Sequence, residues 1–215
     1  MKLTRRNLLG GLGALALAGA TTGSTRQAMA KEALKEPQIG DDGLYHQDWF
    51  VESFLDLRDD IKEAADAGKQ FAVLWEQRGC PYCRELHRVN FAIPEVRKYV
   101  QDNFHILQLD LWGPRKVTDF DGKEMGEREL ARRWRVNFTP TMHFFDRDPA
   151  VTLGKTGREA ELFRMPGYFK PFHFMAAFEY VRSGRTKEIR FQRFVQEKGD
   201  RLRAQGKKVE LWGKS

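Results

Sequence analysis

The sequence predicts an α/β fold, one sheet sandwiched between helices, on three observations. Short apolar runs rich in β-formers alternate with stretches of helical apolar spacing. Both cysteines, Cys80 and Cys83, fall on one strand-turn-helix. The triplet Thr139-Pro140-Thr141 opens a later strand, where proline is tolerated and where X-Pro is the one bond that is readily cis.

Each element has its own local reason. From Gln47, apolar residues at Phe50, Phe54, Leu57, Ile61 and Ala64 follow helical spacing, and Gly68 ends that helix. Gln70 to Trp75 is a continuous apolar run, as expected of a central strand buried on both faces. Glu76 to Gly79 reads as a turn, and helical spacing resumes at Cys80 with Leu86 and Val89. Pro94 to Val100 is a further short helix with proline in its first turn. His105 to Asp110 is a second strand. Leu111 to Gly126, rich in glycine and charge, is a long connection with a small hairpin around Asp121-Gly122. Glu127 to Trp134 is a short helix, Met142 to Phe145 a third strand, and Glu161 to Met165 a fourth. Phe169 to Arg182 is an aromatic-rich helix, and Lys187 to Gln205 one more.

Charge and composition remove several functions. The 215 residues carry a formal charge of +7 and include only two Cys, too few for a disulfide scaffold or a four-thiolate zinc site. Met1 to Ala30 holds four basic residues, Lys2, Arg5, Arg6 and Arg26, and no acid. Its Arg5-Arg6 pair, Gly/Ala/Leu stretch and Ala28-Met29-Ala30 make a cleaved export signal of the twin-arginine kind. Without it the chain has 33 basic and 30 acidic residues, or +3. Residues 183–215 alone contribute +6, so the remaining body is about −3 and nucleic-acid binding loses its support. The expected organisation is a signal over 1–30, a flexible leader over 31–46, a domain over 47–182, and a basic, helical extension over 183–215.

The chemistry lies in Cys80-Pro81-Tyr82-Cys83. Cys80 falls at a helix N-terminus, where unpaired N–H groups and the helix dipole stabilise a thiolate. Pro81 has no N–H to lose there. Cys83 lies one turn further in. Thiol–disulfide exchange needs an attacking and a resolving sulfur, and this asymmetry makes Cys80 the first and Cys83 the second. A purely structural disulfide across so short a loop adds little stability. Haem attachment fails because Arg84, not histidine, follows Cys83. A metal site would use Cys80, Cys83 and His87.

The run Trp75-Glu76-Gln77-Arg78-Gly79-Cys80-Pro81-Tyr82-Cys83, followed by Thr139-Pro140-Thr141, resembles thioredoxin-fold disulfide oxidoreductases, and most of all the periplasmic SoxW-type thioredoxins. Glu85-Leu86-His87, Asp119-Phe120-Asp121-Gly122 and Arg164-Met165-Pro166-Gly167-Tyr168 are similar too, so the resemblance spans about Asp48 to Arg182. It implies a thioredoxin fold with a central mixed sheet flanked by helices, here with an extra C-terminal helix. It also implies a cis Pro140 packed on the active site and a substrate groove made by Pro81, Tyr82, Thr139 and Pro140. Classical thioredoxins carry Trp where Gly79 stands, and a buried Asp where Leu74 stands. Glu76, two residues on, is a candidate replacement, with an exposed turn residue as the alternative. His87, at i, i+4 from Cys83, is a second possible modulator. Pro-Tyr is also the glutaredoxin dipeptide, implying a potential above the roughly −270 mV of thioredoxin, towards about −200 to −230 mV.

The expected function is therefore a monomeric periplasmic thiol:disulfide oxidoreductase that needs no cofactor and no metal. It would reduce disulfides in exported proteins of sulfur oxidation or cytochrome maturation. Its electrons would come from a membrane thiol transporter of the CcdA/DsbD type. The alternatives are a DsbA-like oxidant, against which the short 111–126 connection argues, and a metal carrier using Cys80, Cys83 and His87. Trp49, Trp75, Trp112 and Trp134 are expected in the core.

Overall fold

A computed structural model describes residues 37–209; the signal, the start of the leader and residues 210–215 lie outside the described residues. The elements are α1 (Leu57–Asp66), β1 (Gln70–Glu76), α2 (Pro81–Glu85, continued by a π-turn over Leu86–Asn90), α3 (Pro94–Asn103) and β2 (Phe104–Asp110). Then come β3 (Lys116–Thr118), β4 (Glu124–Gly126), α4 (Glu127–Arg133), β5 (Thr141–Phe144), α5 (Pro149–Thr152), α6 (Gly157–Ala160), β6 (Phe163–Pro166), α7 (Pro171–Arg182) and α8 (Phe191–Ala204).

The main sheet has the order β2-β1-β5-β6. β1 runs parallel to β2 and antiparallel to β5, and β5 antiparallel to β6, so the sheet is mixed. All seven residues of β1 are buried, as its unbroken apolar run requires of an inner strand. Phe71, Val73 and Trp75 join one core with Leu57 and Ile61 of α1 and Leu130 and Trp134 at α4. Ala72 and Leu74 join the other, with Leu86, Phe91, Val100 of α3 and Phe174 and Phe178 of α7. The period of two leaves Glu76 on the second face, in line with Leu74. The 111–126 connection holds an antiparallel hairpin, β3 against β4, in place of a helical insertion.

One expected helix is shorter than its apolar spacing suggests. Phe50 and Phe54 precede α1, which starts only at Leu57. The Val51 N–H is drawn to the Ile106 carbonyl of β2 at 2.9 Å, which extends the chain along that sheet edge. Leu55 then takes a positive φ of 65°, and the Asp56 side chain caps α1 by accepting from the Arg58 N–H. Phe54 is left fully exposed. The described part of the expected leader has local structure of its own. Residues 37–46 make a tight turn with an Ile39–Tyr45 bridge, and Leu44 is buried. Among the described residues, no helix is long and apolar enough to cross a membrane.

Candidate active site

The two cysteines sit where β1 gives way to α2. Gly79 holds a φ of +69°, a conformation only glycine adopts without strain, and so reverses the chain ahead of Cys80. Cys80 is the N-cap of α2 and Pro81 its first helical residue. Cys80 and Cys83 are joined as a disulfide. Two donors converge on Cys80 Sγ: the Cys83 backbone N–H at 3.0 Å and the Thr139 hydroxyl at 3.2 Å. Both favour negative charge on that sulfur once the bond is reduced. Cys83 is wholly buried, and Cys80 nearly so, at 3% exposed.

The Thr139–Pro140 peptide is cis, and the Thr139 hydroxyl meets Cys80 across 59 residues of sequence. Tyr82 is exposed and stacks on Tyr168, with centroids 6.3 Å apart and planes 17° from parallel. Tyr168 is itself anchored, its hydroxyl donating to Asn90 Oδ1 at 3.0 Å, while Asn90 Nδ2 donates to the Phe169 carbonyl. Asn90 ends the π-turn, and such turns recur at functional sites. Burial, and then the Glu85 carboxylate, push the Tyr168 hydroxyl up to about 12, so it stays a donor. Trp112 is the exception among the expected core tryptophans. It is 60% exposed, donates to Gln77 Oε1 at 2.8 Å and lies under the Arg128 guanidinium. Phe138, the neighbour of Thr139 in sequence, is exposed as well.

Glu76 is no turn residue. It ends β1 with no exposed surface. His87 Nε2 lies 3.1 and 3.2 Å from its two oxygens, and Gln108 Nε2 donates to Oε2. Gln108 Nε2 also donates to the Tyr45 carbonyl at 2.7 Å. His87 Nδ1 meets Gln47 Nε2 at 3.0 Å, and Gln47 Oε1 accepts from Trp49 Nε1 at 3.2 Å. Leu74, at the position of the family's buried Asp, is plain core. Gln47, Gln108, Asn90 and Tyr168 were not singled out as site residues from sequence. Gln108 did carry a signal, a lone polar residue in the apolar run of β2. Gln47 carried none, because its partner is 40 residues away.

The metal-carrier reading loses its third ligand. Both ring nitrogens of His87 are engaged, one by Glu76 and one by Gln47, and the ring is buried against Phe50 and Phe91. Among the described residues, no group of three or more His, Cys, Asp or Glu is placed to hold a metal.

A family model described as a thioredoxin-like domain matches residues 57–182. A thioredoxin-fold protein from Helicobacter pylori is 22% identical with a TM-score of 0.48, over 61% of this chain and 85% of that one. A thioredoxin from Thermus thermophilus is 23% identical with a TM-score of 0.46, over 60% and 88%. The oxidised C-terminal domain of DsbD from Neisseria meningitidis is 18% identical with a TM-score of 0.39, over 59% and 90%. No curated protein sequence matches significantly. The chain belongs to the thioredoxin-like domain family, and the Cys80–Cys83 pair at its strand-to-helix turn makes it a thiol:disulfide oxidoreductase.

Proposed function

We propose that the protein is a periplasmic reductant of disulfides in exported partner proteins. The unequal pair of sulfurs carries the mechanism. Cys80 Sγ, held by two donors at a helix N-terminus, attacks one sulfur of the partner disulfide, and the other partner sulfur leaves as a thiolate. Cys83 then loses its proton and attacks Cys80 Sγ. The second partner sulfur leaves, two electrons have moved to the partner, and the chain is left as the Cys80–Cys83 disulfide. A dithiol donor must reduce it again, and a membrane thiol transporter of the CcdA/DsbD type fits that need. Export by the twin-arginine route rests on residues 1–30, and the SoxW-type subgroup on the sequence motifs. Reductant rather than DsbA-like oxidant is favoured by the simple hairpin between β2 and α4.

Cys83 is buried, so its proton needs a buried acceptor when resolution begins. Glu76 and His87 are the buried titratable groups on the two elements that flank the cysteines, the end of β1 and the continuation of α2. Of these, the Glu76 carboxylate is the acceptor in our reading. Glu76→Gln is expected to slow resolution by about 10²-fold, within the ordinary range for a lost general base.

The oxidant reading has one observation in its favour. The donors on Cys80 Sγ stabilise the reduced thiolate, which raises the potential. Trapping with Cys83→Ser and equilibration with glutathione decide the matter. Mixed disulfides at Cys80 with exported proteins, and a potential more negative than theirs, support the reductant. A potential near the roughly −120 mV of a strong oxidant overturns it.

A further inference from the structure

The family domain begins at residue 57, yet the polar network around Glu76 is completed from outside it. Residues 37–50 form a strap over the end of β1. The Arg78 guanidinium of the active-site turn donates to the Asp42 carbonyl of this strap. Tyr45 supplies the carbonyl that orients Gln108, and Gln47 supplies the partner of His87.

The direction of every bond in this chain is set by its fixed ends. An indole N–H only donates, so Trp49 fixes Gln47 Oε1 as acceptor and leaves Gln47 Nε2 as donor. Gln47 Nε2 then donates to His87 Nδ1, which must be unprotonated. The remaining proton of a neutral imidazole lies on Nε2 and donates to Glu76. At the other end, the Tyr45 carbonyl can only accept, which fixes Gln108 Nε2 as the donor to Glu76. Protonating His87 would set an N–H against the Gln47 N–H in a buried site, which is costly.

We propose that Gln47 is a positioning residue of the redox site: acting through His87, it keeps a neutral donor and not a cation beside Glu76, so that the carboxylate is free to take the Cys83 proton. This rests on Glu76 as the acceptor. The strap is thus a working part of the oxidoreductase that the family domain does not contain. An imidazolium in that place would pair with the carboxylate and weaken it as a base.

The test uses the full chain and a peptide disulfide. Attack by Cys80 is timed in a Cys83→Ser background, and release of the mixed disulfide with both cysteines present. Gln47→Leu removes the donor at similar size. Gln47→Glu reverses the bond and draws a proton onto Nδ1. Both are expected to slow release about tenfold, the usual scale for a group acting through another, and to leave attack within about twofold. Nitrogen NMR of the unmutated chain should show Nδ1 bare and Nε2 protonated. Three results overturn the proposal: wild-type release in both variants while Glu76→Gln is slow, equal slowing of attack and release, or a protonated Nδ1 in the unmutated chain. Wild-type release in Glu76→Gln overturns the acceptor assignment instead. The NMR result stands even where a variant does not fold.

Discussion

Glu76 and Glu127 are both fully buried glutamates, and they are held in opposite ways. Glu127 opens α4 and accepts from the backbone N–H groups of Asp110 and Arg115 and from the Arg115 guanidinium. A guanidinium and two backbone amides hold it, and it ties the β2–β3 connection to α4. Glu76 is met by the side chains of His87 and Gln108, with no backbone amide or guanidinium among its described side-chain partners. One buried glutamate is thus fixed by backbone amides and a guanidinium and serves the fold, while the other is held by side chains alone and joins the active-site helix through His87.

The largest effect expected from this contrast is at the remote site. Glu127→Leu leaves two amides and a guanidinium without their acceptor and should cost about 2–4 kcal/mol in urea unfolding. Rates of thiol exchange should not change in the protein that remains folded. Glu76→Gln keeps one acceptor oxygen but turns an amide N–H towards donors, so it should cost about 1–2 kcal/mol, less than Glu127→Leu, with resolution slowed as above. Equal stability losses in the two variants would erase the distinction.

Asp60 is an intermediate case, a buried carboxylate with one neutral donor, the Ser53 hydroxyl at 2.8 Å. Burial raises it from 3.8 to about 6. Because the folded value lies above the unfolded one, its contribution is full below about pH 4 and is lost as pH rises through about 6. Asp60→Asn should therefore stabilise the protein at pH 7 by about 1–2 kcal/mol and flatten that part of the stability–pH curve. Unchanged curvature in thermal melts across that range would count against it. The smallest effect is at the sulfur. Thr139→Val removes one neutral donor from Cys80 Sγ and should slow attack several-fold, equivalent to about 1 kcal/mol, with resolution unaltered.

How far these features could be seen in advance depended on the range of the interaction. β1, the Cys80–Cys83 turn and the β3–β4 hairpin are local, and residue type and spacing were enough to place them. The start of α1 lies later than apolar spacing predicts, because Phe50 and Phe54 keep helical spacing while Val51 is bonded to a strand 55 residues away. The Asp56 cap was the competing local signal. Glu76 was ambiguous because its burial depends on His87 and Gln108, which only the folded sheet brings to it. Hydrophobicity alone puts Trp112 in the core, yet it is exposed. Its indole N–H pairs with Gln77 at the surface, where an amphipathic ring has reason to stay.

The bond from Val51 to Ile106 has a consequence for how the molecule behaves in a crowd. An open strand edge invites pairing with another chain, and a four-stranded sheet has two such edges. Here β2 spends part of its edge on the molecule's own backbone at Val51. β6, at the other side, is only four residues long and ends in Pro166, which has no N–H to offer. Both margins of the sheet are thus blunted against self-association. The same residues that frustrated the expected helix help keep the folded chain from seeding sheet-to-sheet aggregates.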